Sequence, residues 1–393
     1  MFRNLKYRLP AALGLLLSLA AAAQNFNNSG SYASHKMAFP VDPACLPGVD
    51  VSGMNLDAEL FYEDRVSSNP KDAAAWLNYY KAVRFRADAM DKESQFRSRL
   101  DSIDGQMGRE VPGSFEQQYV HYWNGDHDLS RSASLKAAYA LRPNDPGVLR
   151  QMTGYELISG NRTNAANYAA KWEKTGDMPS SLLPYAYNVL QSVPQDAILI
   201  TSGEFDTYPL VQQQMKGGVR ADVQLLCVDL CSRAANRVLI FRNLGLKLPD
   251  NDSVSAFTAA YVRRVAAANP SKKIYLASTL GPGMLSVLQN ELYLTGLAFR
   301  YSATPIDNLA FLRDNVGMKM NLETVGLSTL SSNTFDNGSS QQLQMNYVLP
   351  LVLAAQQYEA GGDKDKAEML RAKARQVGAN AGRQKEVDKL LGH

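Results

Sequence analysis

Apolar residues recur every three to four positions over most of the chain, a spacing that predicts a largely helical protein. In the N-terminal half this spacing predicts helices over residues 56–67, 72–84, 91–103, 115–123, 135–141, 147–158 and 163–174. It returns over residues 347–360 and 366–377, followed by a charged helix that ends near Leu391. Turn residues such as Gly160-Asn161 separate the segments, so neighbouring helices should pair as hairpins.

A different pattern occupies the middle of the chain. Short apolar runs at residues 197–201 and 223–228 predict two buried strands, and residues 209–215 between them predict a helix that starts at Pro209. Strand, helix and strand within about 30 residues form a βαβ unit with parallel strands. The pattern continues with a helix over 254–268, a third strand over 273–278, a helix over 285–293 and a fourth strand over 297–301. The expected fold is a small Rossmann-like, mostly parallel sheet flanked by helical hairpins.

The first residues of the chain predict a secretory signal peptide. Arg3, Lys6 and Arg8 precede an apolar stretch, residues 11–22, and a run of alanines fits a cleavage site before Gln24. The stretch is short for a membrane span, although an uncleaved anchor is the alternative. We therefore expect an exported protein, periplasmic or secreted, with no integral membrane span after signal cleavage.

The patterns divide the chain into six segments. These are a signal peptide (1–23), an extended lead-in (24–54), a helical repeat domain (55–190), a Rossmann-like α/β domain (191–305), a linking segment (306–345) and a C-terminal helical hairpin and helix (346–393).

Charge and cysteine content narrow the classes of partner. The chain has 41 basic and 38 acidic residues, and the predicted signal peptide removes three basic residues and no acidic one. A mature protein without net charge offers no bulk attraction for nucleic acid. Export permits disulfides, but the interpretation we favour is that Cys227 is a buried strand residue and that Cys231 is either free or bridged to it.

Residues 140–176, ALRPNDPGVLRQMTGYELISGNRTNAANYAAKWEKTG, resemble a tetratricopeptide repeat. Small residues, Gly154 and Ala166, fall where paired helices approach closely. Residues 67–83 look like a more degenerate copy, and residues 351–375 form a helical hairpin of the same type. The resemblance implies stacked hairpins, and concave surfaces of such repeats bind peptides or partner proteins.

The α/β part resembles the soluble C-terminal region of protein O-mannosyltransferase-like multi-pass membrane proteins that are common in Bacteroidota. The matching positions lie within residues 194–301 and are Gly203, Asp206, Thr207, Pro209, Val219, Arg220, Asp222, Val223, Gly296, Leu297, Ala298 and Arg300. Ser202, Glu204 and Phe205 depart from the family pattern, which has an Asn and two Asp there. The membrane-embedded transferase half has no counterpart in this sequence. The resemblance therefore implies an extracytoplasmic accessory region and not transferase activity.

One turn in the α/β domain is a candidate ligand site. The carboxyl end of a parallel strand and the start of the next helix meet there, which is where open parallel sheets bind ligands. Its two carboxylates favour a sugar, an amine or a cation over a phosphate, and a second turn after the third strand could form the other wall. The candidate ligand-binding residues are Gly203, Glu204, Asp206, Thr207, Tyr208, Gly281 and Gly283.

Structural interpretations of the same residues compete with the ligand site. Asp206 or Thr207 could instead cap a helix that begins at Pro209, and Gly281-Pro282-Gly283 could be a simple tight turn. Arg220 and Asp222 are expected to form an ion pair.

The chain has little that indicates catalysis. The segment HYWNGDHD, residues 121–128, contains two His and two Asp, but their spacing matches no zinc pattern. Motifs for dinucleotides, nucleotide phosphates, serine hydrolases and zinc proteases are missing from the sequence, so we expect no cofactor, no metal and no catalytic residues. The predicted function is a non-catalytic helical-repeat interaction or scaffold protein of the bacterial cell envelope, with a protein or peptide partner. The alternatives are a protein that binds a carbohydrate or small molecule through the turn at Gly203, and a glycan-processing enzyme.

Overall fold

The computed structural model describes residues 52–90, 92–250, 252, 257–327 and 343–392. The chain divides into two compact units, with the boundary between Tyr155 and Glu156. The predicted signal peptide and most of the predicted lead-in lie outside the described residues, and the last three residues of that lead-in are helical. The predicted domain boundary at residue 190 stays a prediction.

The first unit is helical throughout its regular structure. Its helices are α1 (Ser52–Ser68), α2 (Ala73–Ala89), α3 (Glu93–Glu110), α4 (Phe115–Trp123), α5 (Ser132–Leu141) and α6 (Pro146–Ile158), which contains the unit boundary. The predicted helices are confirmed, but α3 extends to Glu110 instead of ending near Gly105. Leu100, Ile103 and Met107 are all buried, so packing of this apolar face continues the helix through the glycine.

Aromatic residues form much of the core of the first unit. Trp76 and Tyr80 of α2 are buried in a cluster with Leu100 and Ile103 of α3. The Asn69-Pro70 break is held in place because the Trp76 indole N–H donates to the Pro70 carbonyl, at 2.8 Å. The Asp72 side chain accepts the N–H of Ala75 and so caps α2.

The second unit combines helices with one sheet. Its helices are α7 (Arg162–Lys174), α8 (Leu182–Gln191), α9 (Glu204–Lys216), α10 (Ala234–Asn243), α11 (Ala259–Ala268), α12 (Pro282–Val287), α13 (Leu309–Asp314), α14 (Val348–Ala360), α15 (Lys364–Asn380) and α16 (Gln384–Leu391). Its strands are β1 (Ile198–Thr201), β2 (Gln224–Cys227), β3 (Ile274–Ala277), β4 (Leu292–Leu294) and β5 (Ala298–Tyr301).

The sheet has the order β2-β1-β3-β5-β4 and is mixed. The strand β1 pairs in parallel with both β2 and β3, as the βαβ pattern predicted. The strand β5 pairs antiparallel with β3 and with β4. The expectation of a mostly parallel sheet is therefore wrong, because half of the strand pairings are antiparallel.

The chain after β3 differs most from the prediction. Residues 285–293 do not form one helix: α12 ends at Val287, a short 3₁₀ turn covers Gln289–Glu291, and β4 begins at Leu292. The three apolar residues of β4 are buried against β5, and this tertiary pairing overrides the local helical spacing. The predicted linking segment contains α13, which continues into a π-helical turn, Asn315–Lys319.

Packing buries the sheet under helices. All four residues of β1 and of β3 are buried, and Ala165 and Ala166 of α7 pack against Val211 of α9. Among the described residues, no helix has the length and apolar character that a membrane crossing requires.

Candidate functional site

The turn after β1 begins a helix earlier than its proline suggests. The helix α9 starts at Glu204, with Gly203 as the N-terminal cap residue, so the predicted start at Pro209 is wrong. Two oxygens of the Asp206 carboxylate accept the N–H groups of Ser202 and Gly203, at 2.8 and 2.9 Å. Asp206 thus accepts N–H groups at the helix start that have no partner within the helix, which is the role of the acidic residue in a capping box. Pro209 then lies inside the helix, where its missing N–H leaves one helical hydrogen bond unmade.

Asp206 also bridges two turns at one edge of the sheet. The Thr279 hydroxyl, two residues after β3, donates to the Asp206 carboxylate at 2.6 Å. The Thr207 hydroxyl lies 3.4 Å from the other carboxylate oxygen. The parallel pairing of β1 with β3 brings the two turns together, because parallel strands end at the same edge. Asp206 therefore joins the β1–α9 turn to the β3–α12 turn.

Burial dominates the electrostatics of Asp206. Desolvation raises the pKa of its carboxyl, and this effect exceeds the opposite effect of the hydrogen bonds from Thr279, Ser202, Gly203 and Thr207. A folded pKa above the unfolded value means that the folded state binds more protons between the two values. Stability therefore falls as the pH rises through that window, and the penalty is complete above it.

Substitution of Thr279 by valine tests this bridge. We expect Thr279→Val to lower the free energy of unfolding by about 1–2 kcal/mol at neutral pH, since it removes a hydrogen bond to an ionised carboxylate while keeping the side-chain shape. Urea denaturation followed by circular dichroism measures the change.

The pH dependence of this effect follows from the direction of the pKa shift. The loss of unfolding free energy in Thr279→Val should shrink as the pH falls below the raised pKa of Asp206, because a neutral carboxyl accepts a weaker hydrogen bond than a carboxylate. Thr279→Ser keeps the hydroxyl and is the matched control, expected within about 0.5 kcal/mol of the parent chain. Equal losses for both variants, or a loss independent of pH, would contradict the assigned bridge.

A second polar group lies beside Thr279. The Tyr185 hydroxyl is 2.9 Å from the Ser278 hydroxyl, and the Asn346 amide donates to Tyr185 at 3.0 Å. Burial raises the pKa of Tyr185, so the phenol stays neutral. Sequence reasoning missed this group, because α8, β3 and the segment before α14 meet only in the folded chain. The one available signal was the position of Ser278 at the end of the predicted third strand and of Thr279 directly after it.

The remaining predicted site residues have varied surroundings. Tyr208 is 1% exposed, so its ring packs inside the unit. Gly281 is the cap residue of α12, with Pro282 as the first helical residue, so this segment starts a helix and is not a tight turn. A Cβ added at Gly281 or Gly283 would meet no heavy atom within 4 Å. Neither glycine is therefore required by a close approach.

Thr207 lines a small cavity on the flank of α9. The cavity has a volume of about 70 Å³, and among its described lining residues Arg162 alone is charged. The Arg162 guanidinium donates to the Gln214 amide oxygen, and desolvation lowers the pKa of Arg162. Cys227 lines the same cavity, and its predicted burial is confirmed; of the two alternatives for Cys231, free or bridged to Cys227, the structure has both cysteines free. Burial raises the pKa of both thiols, which keeps them protonated and unreactive.

Arg220 ties three chain segments together. Its guanidinium donates to the carbonyls of Leu190, Val193 and Pro194, at 2.8–3.0 Å. It also pairs with Asp222 at 2.8 Å, which agrees with the predicted ion pair. The hydrogen bond from Arg220 is the largest cause that lowers the pKa of Asp222. The pair therefore holds the end of α8 and the entry to β1 against the entry to β2.

The HYWNGDHD segment forms structural contacts in the first unit. Asp126 has a left-handed backbone, φ 46°, and its carboxylate pairs with Arg84 and Arg97 at 3.0 and 2.9 Å. His121 lies 3.2 Å from the Asp104 carboxylate. Within the part of the chain that the structure describes, no three His, Cys, Asp or Glu side chains gather as they would around a metal ion.

A known protein family matches a segment of the second unit. Residues 183–234 match the family model described as TMEM260-associated domain 2. The segment contains most of α8, all of β1, α9 and β2, and the residues Asp206, Arg220 and Asp222. The match is consistent with the resemblance to the O-mannosyltransferase-like family over this segment. No curated protein and no solved structure matches the chain.

Proposed function

We propose that the chain is an exported, non-catalytic interaction protein of the bacterial cell envelope that binds a protein or peptide partner. In this proposal the packed helical hairpins are tetratricopeptide-like repeats, and they flank a Rossmann-like domain whose family members are accessory regions of Bacteroidota membrane proteins. The hydrogen bonds around Asp206 support a structural role for the charged turn, because its carboxylate oxygens already accept four donors.

The observation that carries this proposal is the apolar outer face of α1. Met54, Leu60 and Phe61 are 50%, 56% and 41% exposed, whereas Ala58 and Tyr62 of the same helix are buried. Met54 and Phe61 are seven residues apart, about two helical turns, so they lie on one side of the helix, and Leu60 lies about 100° around the axis from Phe61. Several exposed apolar side chains on one helix are typical of a protein interaction site. An amphipathic or extended peptide with apolar anchors would suit such a face.

Affinity capture with crosslinking tests the α1 surface. The tagged mature protein is recovered from its native cell envelope, and the captured proteins are identified by mass spectrometry. We expect Leu60→Glu/Phe61→Glu to reduce recovery of the main partner about tenfold or more, because charges would replace two apolar anchors. Circular dichroism checks that the fold is retained.

Met369→Glu is the matched control for this experiment. Met369 lies on α15 and is 38% exposed, close to the exposure of Phe61, so the control introduces a charge at a similar apolar position. Capture should persist in this variant. If the α1 variant recovers as much partner as the parent chain, the partner does not bind this surface. An empty capture with the parent chain would contradict the interaction proposal.

The second candidate function is binding of a carbohydrate or small molecule. For this candidate we propose a site other than the turn at Gly203, namely a cleft of the second unit that is rich in amide and ammonium groups.

A further inference from the structure

A cleft of about 390 Å³ lies along α7 and the C-terminal end of α9. We call it the lysine cleft, and its lining residues are Asn164, Asn167, Tyr168, Ala170, Lys171, Lys174 and Lys216. Its volume falls within the range of about 300–1,000 Å³ that is usual for small-molecule sites.

The lysine cleft concentrates positive charge in a protein that is otherwise balanced. Three of its seven lining residues are lysines, and none of the seven is acidic. The one acidic residue of α7, Glu173, accepts a hydrogen bond from Gln212 and is not among the lining residues. All three lysines lie in the last turn of a helix, Lys171 and Lys174 in α7 and Lys216 in α9, where a cation interacts favourably with the helix dipole. Grouped like charges repel one another, and an anionic ligand would relieve that repulsion.

The other lining groups are suited to hydroxyl-rich ligands. Asn164, Asn167, Lys171 and Lys174 recur at intervals of three and four residues, so one face of α7 presents two amides next to two ammoniums. An amide both donates and accepts hydrogen bonds, as a sugar hydroxyl does. The Tyr168 ring adds an apolar surface, and the Lys171 ammonium lies 5.6 Å from its centroid. These lining groups are complementary to a molecule that carries both hydroxyls and an acidic group.

We propose that the lysine cleft binds an acidic saccharide, a sugar unit that carries a phosphate or a carboxylate. The ammoniums of Lys174 and Lys216 hold the acidic group, and the amides of Asn164 and Asn167 bind hydroxyls. The inference rests on the second candidate function and is independent of partner binding by α1.

Calorimetric titration of the full mature chain tests the ligand class. The probes are glucose 6-phosphate, glucuronate, glucose and inorganic phosphate. We expect at least one acidic sugar to bind about tenfold more tightly than both glucose and phosphate, because only it engages the ammoniums and the amides together. Preference for glucose 6-phosphate identifies a phosphate-bearing ligand, and preference for glucuronate identifies a carboxylate-bearing one. Equal binding of phosphate, equal binding of glucose, or no binding of either acidic sugar overturns the proposal.

A pair of double variants locates the binding. Lys174→Gln/Lys216→Gln should weaken binding of the preferred acidic sugar about tenfold, through loss of two charged contacts. Lys272→Gln/Lys273→Gln removes the same charge from exposed positions outside the cleft and should leave binding unchanged. Binding should also weaken severalfold between about 0.05 and 0.5 M NaCl, since the salt screens the ammoniums.

The outcomes of the two tests remain separable. Unchanged affinity in the cleft variant overturns the site even if the protein binds a sugar elsewhere. Partner capture should be the same for the cleft variant as for the parent chain, so a failure of the lysine cleft leaves the α1 result intact.

Discussion

Replacement of Arg220 by methionine should lower the free energy of unfolding by about 3 kcal/mol at neutral pH. The guanidinium donates to three backbone carbonyls and pairs with Asp222, and methionine keeps much of the side-chain volume without any donor. Loss of one partner from a partly buried ionic network leaves acceptors without a donor, and this cost exceeds that of a surface ion pair. Urea denaturation followed by circular dichroism measures the change.

The pH dependence of the Arg220 effect has a defined sign. The Asp222 carboxyl has a lowered pKa, with Arg220 as the first cause, so its ionisation contributes stability above the unfolded pKa. That contribution is lost as the pH falls through the lower folded pKa, and the difference between the parent chain and Arg220→Met should therefore narrow in acid. Arg242→Met, at an exposed position of α10, is the control and should change stability by less than about 0.5 kcal/mol. Equal effects of the two substitutions would contradict the role of Arg220 as a tie between segments.

Local sequence signals predicted the helices and the parallel centre of the sheet. Apolar spacing located the start of α2 and both ends of α4, because each helix has a side-chain cap at its start, Asp72 and Ser114; α2 continues five residues past its predicted end, to Ala89. The parallel strands β1 and β2 were predictable because short isoleucine- and leucine-rich runs flank a helix. In both cases the sequence signal is local, although β1 and β2 themselves pair across 26 residues, as Ile198 with Gln224.

Features that depend on distant residues were not predictable in this way. The strand β4 is only three residues long and exists because β5 pairs with it. The start of α9 at Glu204 depends on Asp206, and the same carboxylate accepts a hydrogen bond from Thr279 across 73 residues. Capping by Asp206 was foreseen as the alternative to a ligand role, but at a helix start five residues too late. The spatial partner was missing from that prediction, and no local pattern supplies it.

The charged residues of the second unit are of two kinds: some are hydrogen-bonded within the fold, and others line the lysine cleft. Asp206 and Arg220 are surrounded by hydrogen-bond partners contributed by neighbouring turns. Lys174 and Lys216 instead line an open cleft without an acidic lining residue. Asp206 and Arg220, two of the residues that carry the family resemblance, thus hold neighbouring segments of the fold together. The residues that we propose for binding lie on helix faces where sequence patterns alone indicate only a solvated surface.

The largest effect of a small substitution is expected at Gly296, which precedes β5. We expect Gly296→Ala to lower the free energy of unfolding by about 3 kcal/mol, from backbone strain and overpacking together. The residue has φ 138°, a conformation that side chains rarely allow, and an added Cβ would lie 2.5 Å from Ser192 Oγ and from Met320 Cε. Met320 can move its terminal methyl at low cost. Ser192 cannot move as easily, because its hydroxyl accepts the Leu297 N–H and donates to the Asn188 carbonyl.

Gly283→Ala is the control for this substitution, in the same structural unit. An added Cβ at Gly283 meets no heavy atom within 4 Å, and the residue lies in a helix, so alanine should raise stability by about 0.5 kcal/mol through the unfolded state. If urea denaturation shows that Gly296→Ala lowers the free energy of unfolding and Gly283→Ala raises it, the turn before β5 requires glycine. A loss below about 1 kcal/mol for Gly296→Ala would mean that Ser192 and the β4–β5 turn adjust together, and would contradict the close approach that locks β5 against α8.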